Sequence, residues 1–108
     1  MWQIAYHPDA QVEFDRMDGS VRKIVLKGIM KVAENPLPQS EGGYGKPLGN
    51  KGNNDLTKLL KIKFKKIGIR VVYKLITDEN TNEMYILVIS ARADNEVYNI
   101  ADRRRFYE

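Results

Sequence analysis

The 108-residue chain has no cysteine and a single histidine, His7. Without thiols there is no disulfide framework, thiolate zinc site, iron–sulfur cluster or cysteine nucleophile, and one imidazole cannot supply a paired-histidine metal site. Transition-metal chemistry is therefore not expected, and no cofactor is expected. Apolar runs are short, and the opening MWQIAYHPDAQ lacks a basic start followed by an apolar stretch. Neither a membrane span nor a signal peptide is expected, and the default address is the cytoplasm. Also missing are a GxxxxGK(S/T) element, a GxGxxG turn after a strand and a GxSxG elbow, which removes the usual signatures of nucleotide binding and serine hydrolysis.

What is present is an ordinary globular composition, 43% hydrophobic and 30% charged, at a length suited to one domain over residues 1–108. The net charge of +4 is unevenly spread. Residues 1–45 carry five basic and six acidic side chains, residues 46–74 nine and one, and residues 75–108 four and seven. The chain is thus a near-neutral body with one band of net +8, whose only carboxylate is Asp55. Such a band suits a polyanion, because lysine and arginine contacts to phosphates release counterions. It equally suits a solvated lysine face that keeps the protein soluble.

Periodicity supplies the elements. Trp2, Ile4 and Tyr6 alternate as a first strand, and Pro8 with Asp9 opens a helix carrying Ala10, Phe14 and Met17. Asp18-Gly19 breaks it, and Ser20 is placed to cap a second helix with an apolar stripe of Val21, Ile24, Val25, Gly28, Ile29 and Val32, ending at Asn35-Pro36. Residues 37–55 are rich in glycine, with two prolines and three asparagines, and read as a long flexible loop rather than a phosphate cradle. From Thr57 the period becomes two, with Leu60, Ile62 and Phe64 on one side and Lys61, Lys63 and Lys65 on the other. After a turn at Lys66-Ile67-Gly68, a strand over 69–76 turns Ile69, Val71, Tyr73 and Leu75 to the core. A polar turn then leads to an apolar central strand, MYILVISA. Asp94 or Asn95 is placed to cap a C-terminal helix with Val97, Ile100 and Ala101 inward. The expected fold is a small single α+β domain of order βααβββα. Its sheet is mainly antiparallel, with two N-terminal helices on one face and a short C-terminal helix.

The hairpin carries a geometric consequence. If the turn after Lys65 holds an even number of residues, Lys63, Arg70 and Lys61 share a face; an odd number would send Arg70 into the core, where an unpaired guanidinium is costly. Three cations on one sheet face form a phosphate-binding group. Arginine offers a planar fork of donors to phosphoryl oxygens, and a lysine among like charges is moved toward the range of a usable base. Metal-free RNA cleavage needs little more, since the RNA's own 2′-hydroxyl is the nucleophile. His7 lies at the strand-to-helix corner and reads as a structural cap or surface residue. Asp78, Glu79 and Glu83 read as solvated turn residues, and Ser90 has no base nearby in sequence to make it a nucleophile. Arg92, just after the apolar strand, and Tyr98, on the last helix, are individually ordinary ion-pair and packing residues. Together they are placed to project over the same sheet edge, adding a charge and a ring on which a base can stack.

The chain resembles the RelE branch of the RelE/ParE toxins of bacterial type II toxin–antitoxin modules. The resemblance runs through WQIAYHPDAQVEF, NPLP, KPL, KIKFKKIGIRVVYKL and ISARADNEVYNIADRR, with the central hairpin and the Arg-to-Tyr spacing its specific parts. It implies a ribosome-dependent endoribonuclease that cuts mRNA in the decoding site of the 70S ribosome, leaving a 2′,3′-cyclic phosphate. It further implies Lys61 as candidate general base, Lys63 as phosphate holder, Arg70 as transition-state arginine, Arg92 as acid or charge stabiliser, and Tyr98 stacking on or activating the nucleotide. Lys46, Lys51, Lys58, Lys65, Lys66 and Lys74 complete the surface expected to bind RNA and ribosome. A cognate antitoxin that covers the basic face or displaces the C-terminal helix is the implied protein partner, and no membrane is involved. Two readings from other classes stand beside it: a ParE-like toxin that inhibits gyrase without cutting RNA, and a non-catalytic basic module that binds RNA or the ribosome.

Overall fold

A computed structural model describes residues 1–51 and 54–106, apart from the side chains of residues 50, 51, 54 and 55. Strand β1 (Gln3–Tyr6) leads into helices α1 (Pro8–Asp15) and α2 (Gly19–Ala33) and a 3-10 turn at Gln39–Glu41. Strands β2 (Lys46–Lys51), β3 (Asn54–Phe64), β4 (Ile69–Thr77) and β5 (Asn82–Ser90) follow, and helix α3 (Asp94–Arg104) closes the chain. The strands form one sheet in the order β1-β5-β4-β3-β2. Only the β1–β5 pairing is parallel among the paired strands. No helix among the described residues is long and apolar enough to cross a membrane.

The expected order holds with one addition, the strand β2 inside the glycine-rich segment read as loop. Its composition hides it because an edge strand needs few β-formers: Pro47, which lacks an N–H, is tolerated at a sheet edge. The register against β3 shifts between Pro47 and Gly49, and Leu48 is buried. β3 correspondingly starts at Asn54 rather than near Thr57.

The helices start by side-chain capping. His7 Nδ1 accepts the Asp9 N–H at 3.0 Å, with Pro8 at the first helical position, so His7 is the structural cap that the corner suggested. Burial, helped by nearby Arg104 and Lys74, holds its imidazole below the ordinary value against the opposing pull of Asp9 and Glu13. Helix α2 is capped by Asp18, whose carboxylate accepts the Ser20 N–H at 3.2 Å; Ser20 already lies inside the helix and is not the cap. The buried stripe of α2 is Val25, Ile29, Val32 and Ala33. Ile24 is 48% exposed, because a turn of 3.6 residues puts it a full 100° away from Val25 and off that stripe. Gly28 lets the helix sit on the sheet: a Cβ there would come within 2.4 Å of Cε1 of the Phe64 ring.

The sheet separates two cores. Leu60, Ile62 and Phe64 of β3, with Ile69, Val71, Tyr73 and Leu75 of β4, pack beneath α1 and α2, as the period of two requires. The other face packs Leu59, Val72, Tyr85, Leu87 and Val88 against Val97, Tyr98 and Ala101 of α3. A register shift between Val72 and Tyr73 lets the consecutive Leu87 and Val88 both join that second core. The Tyr73 hydroxyl, fully buried, donates to the Pro36 carbonyl at 2.9 Å, and burial pushes its pKa upward.

β1 pairs with β5 only over Glu83–Ile86, which leaves the rest of that edge to be satisfied by other groups. Glu13 of α1 accepts the Ile89 N–H at 3.1 Å. Arg104, at the end of α3, donates to the Leu87 carbonyl at 2.9 Å. The two side chains also clasp each other through paired bonds of 2.9 and 3.1 Å. One ion pair thus closes the strand edge and ties α3 to α1.

Candidate active site at the start of the last helix

Strand β3 ends at Phe64 and β4 begins at Ile69, so the turn has four residues, and the even-numbered register is realised. Gly68, at φ 67°, supplies the left-handed conformation that closes it. Lys63 stands directly opposite Arg70, Lys61 opposite Val72, and across the other side of β3 Lys46 stands opposite Lys61. Lys61, Lys63 and Arg70 are half-buried on the face that α3 covers, while Lys46, Lys58, Lys65 and Lys66 are exposed.

Helix α3 begins four residues after β5, and its first turn meets this row. Lys61 Nζ donates to the Tyr98 hydroxyl at 3.3 Å and lies 5.8 Å from the ring centroid. Tyr98 is only 5% exposed, so its ring belongs to the core beneath α3 and its hydroxyl is the part turned to the cations. Arg70 donates from Nη1 to the Arg92 carbonyl at 2.9 Å. Arg92 therefore reaches the cluster through its backbone, while its guanidinium pairs with Glu96 at 3.4 Å and is largely exposed. Ser90 Oγ accepts the Arg92 N–H at 3.1 Å, a local turn role.

Asp94 differs from its expected part. The residue before the helix is Ala93, with no side-chain capping bond, and Asp94 turns its carboxylate to the sheet. It accepts from Lys63 Nζ at 3.0 Å and from Arg70 Nε in a short contact. Burial opposes its ionisation, but the hydrogen bonds and charges of Lys63 and Arg70 outweigh burial and hold the carboxyl below the ordinary carboxylate range. Asp94 and Glu96 are the site residues that reading the sequence missed. The available signal was their place between Arg92 and Tyr98 in an otherwise cationic constellation.

The structure thus gathers Lys61, Lys63, Arg70, Tyr98 and the Arg92 backbone within one patch. Of the wider lysine set, Lys65 joins Lys63 and Arg70 around a cavity of about 260 Å³ that Phe64, Gly68 and Ile69 complete. Lys74 is half-buried, donates to the Arg105 carbonyl and lies 5.3 Å from the Tyr85 ring, which places it under the far end of α3. The Lys51 side chain lies outside the described residues. A larger hollow, about 630 Å³, lies on the outer side of α2 around Leu26, Met30 and Tyr44 and holds none of the five candidates.

No family model matches the chain. A RelE-like protein of Escherichia coli is 25% identical over 104 residues, spanning 95% of this chain and 96% of that protein. Among solved structures, a double mutant of the E. coli toxin RelE in the free state superposes with a TM-score of 0.68 at 22% identity, over 95% of this chain and 96% of that one. The chain has the fold of the E. coli toxin RelE. The intact E. coli RelBE toxin–antitoxin complex holds a chain of the same RelE/ParE fold, with a TM-score of 0.63 and 19% identity over 86% of this chain and 99% of that one. In this chain, the sheet face beneath α3 carries the cationic row, and the opposite face carries the helical hairpin.

Proposed function

We propose that the chain is the toxin of a type II toxin–antitoxin module and acts as a ribosome-dependent, metal-independent mRNA endoribonuclease. The observation that carries this reading is the convergence of Lys61, Lys63 and Arg70 on one sheet face with the Tyr98 hydroxyl and the Arg92 segment at its rim. Such a group supplies what in-line attack by a 2′-hydroxyl needs. Lys61, as general base, takes the 2′ proton, and the 2′ oxygen forms a bond to phosphorus while the bond to the 5′ oxygen breaks. Lys63 and the Arg70 fork bind the non-bridging oxygens as charge accumulates there. Arg92 stabilises the charge on the leaving 5′ oxygen, which takes its proton from solvent water at the open rim of the site. The products are a 2′,3′-cyclic phosphate and a 5′-hydroxyl.

Tyr98, with its ring covered, acts through its hydroxyl by orienting Lys61 rather than as an open stacking platform. The mRNA in the decoding site and the 70S ribosome are the partners of the basic face, with Lys46, Lys58, Lys65 and Lys66 exposed around it for phosphate contacts. A cognate antitoxin is the second partner. The E. coli complex that pairs a chain of this fold with an antitoxin supports it, as does a band that an acidic segment folding on the toxin would neutralise.

Primer extension on an mRNA held in 70S ribosomes, with free RNA as the control, tests the reading. Purified protein should cut only the ribosome-held message, at the decoding site, and the R70A/R92A double variant should lose cleavage by at least about a hundredfold, as expected when transition-state charge stabilisation is removed. Undiminished cutting by that variant would refute the site. Intact mRNA on ribosomes that retain the bound protein would favour the non-catalytic binding module.

A further inference from the structure

The first turn of α3 sets carboxylates against the cations that the proposed reaction needs. Asp94 bonds Lys63 and Arg70 together, and Glu96 pairs with Arg92. Asp94 does not serve its helix in the usual way, since no side chain caps α3 and the carboxylate turns to the sheet. A carboxylate presents two oxygens to an ammonium and a guanidinium much as a phosphodiester presents its two non-bridging oxygens. Arg70 is steadied from behind by the Arg92 and Gly68 carbonyls, so its fork keeps its place when the front partner changes. The Asp94 side chain is 40% exposed, and those of Lys63 and Arg70 are 30% and 25% exposed. The group is therefore open to solvent and can be exchanged.

We propose that Asp94 is a built-in phosphate surrogate: it occupies the phosphate position on Lys63 and Arg70 in the free protein, and RNA binds by displacing it. The inference rests on the nuclease reading for the identity of the ligand, though not for the exchange itself. Asp94 is a positioning residue here. It keeps two like charges together and orders them in the absence of substrate, and it weakens the site for every polyanion that cannot outcompete it. Free RNA then binds poorly, while an RNA whose phosphate is held in place by a larger assembly displaces the carboxylate at little entropic cost. The same contact makes affinity adjustable by one side chain that takes no part in the chemistry.

The test uses the full chain and a fluorescent hexaribonucleotide with 2′-O-methyl groups throughout, which binds but cannot be cut. Asp94→Asn keeps the shape and removes the charge. It should tighten binding about tenfold, the size expected when two partly exposed ion pairs no longer have to be broken. It should also steepen the salt dependence by about 0.7 in the slope of log K against log salt, one extra effective phosphate contact on a single strand. In a K63A/R70A background the same substitution should change neither quantity. Thermal melts of all four proteins confirm that folded species are compared. Unchanged or weaker binding by the folded Asp94→Asn protein would overturn the proposal, as would a gain that persists without Lys63 and Arg70. Tighter binding with no cleavage on ribosomes by either protein would uphold the exchange and refute the nuclease. Cleavage with no gain in binding would do the reverse.

Discussion

Replacing Glu13 by alanine should destabilise the protein far more than the loss of a surface glutamate. Its carboxylate accepts three hydrogen bonds, two from Arg104 at 2.9 and 3.1 Å and one from the Ile89 N–H at 3.1 Å, and the two side chains are only 27% and 16% exposed. An exposed pair contributes at most about 1 kcal/mol, and removing one member of a fully buried pair costs about 3–5 kcal/mol. This pair is intermediate in burial, and the Ile89 N–H also loses its partner, so a cost of about 2–3 kcal/mol is expected. In a domain of this size that lowers Tm by roughly 10–15 °C. Arg104→Ala should cost a similar amount, because it also abandons the Leu87 carbonyl. The decisive measurement is the double-mutant cycle by urea unfolding. E13A/R104A should cost about 1–2 kcal/mol less than the sum of the single variants, since each single change already breaks the shared bonds. If E13A costs under about 0.5 kcal/mol, or if the two changes add, the clasp between α1, β5 and α3 does not hold the fold as described.

Three further outcomes are expected. Tyr73→Phe removes the buried hydroxyl bonded to the Pro36 carbonyl, and should cost about 1–2 kcal/mol in urea unfolding with an unchanged m-value. Gly28→Ala drives a methyl into the Phe64 ring and should cost about 1–3 kcal/mol; Phe64→Leu in the same chain should recover part of that loss. The depressed Asp94 carboxyl gives a pH signature. A group whose folded pKa lies below its unfolded one stabilises above the ordinary carboxylate range, and that contribution fades as pH falls through the folded value. The stability difference between the parent and Asp94→Asn should therefore be present at pH 7 and shrink below about pH 4, the ordinary aspartate range. A difference that grows on acidification would contradict the assignment.

The parts of the fold that the sequence disclosed are those governed by local period. The alternation of Leu60, Ile62 and Phe64 with Lys61 and Lys63 fixed both faces of β3. With an even turn, the same parity put Arg70 beside Lys63, as found. What stayed hidden depends on partners distant in sequence or on residue types with two uses. β2 was concealed because glycine, proline and asparagine mark loops and also tolerate an irregular edge strand. Ile24 lies on the border of the α2 stripe, where only tertiary packing decides its exposure. Asp94 sits where a helix cap is expected, and its competing partners, Lys63 and Arg70, are 31 and 24 residues away. The Glu13–Arg104 clasp spans 91 residues and leaves no periodic trace.

The pairing of β1 with β5 bears on when the candidate site is complete. Gln3 lies opposite Glu83, so β1 waits for a strand 80 residues later in the sequence before it has a neighbour in the sheet. The cationic row of β3 and β4 likewise lacks Asp94 and Tyr98 until the C-terminal helix is free to dock. Both the neighbour of β1 and the carboxylate of the cationic row come from the later part of the sequence, so the site is a late product of folding, complete only once α3 has docked.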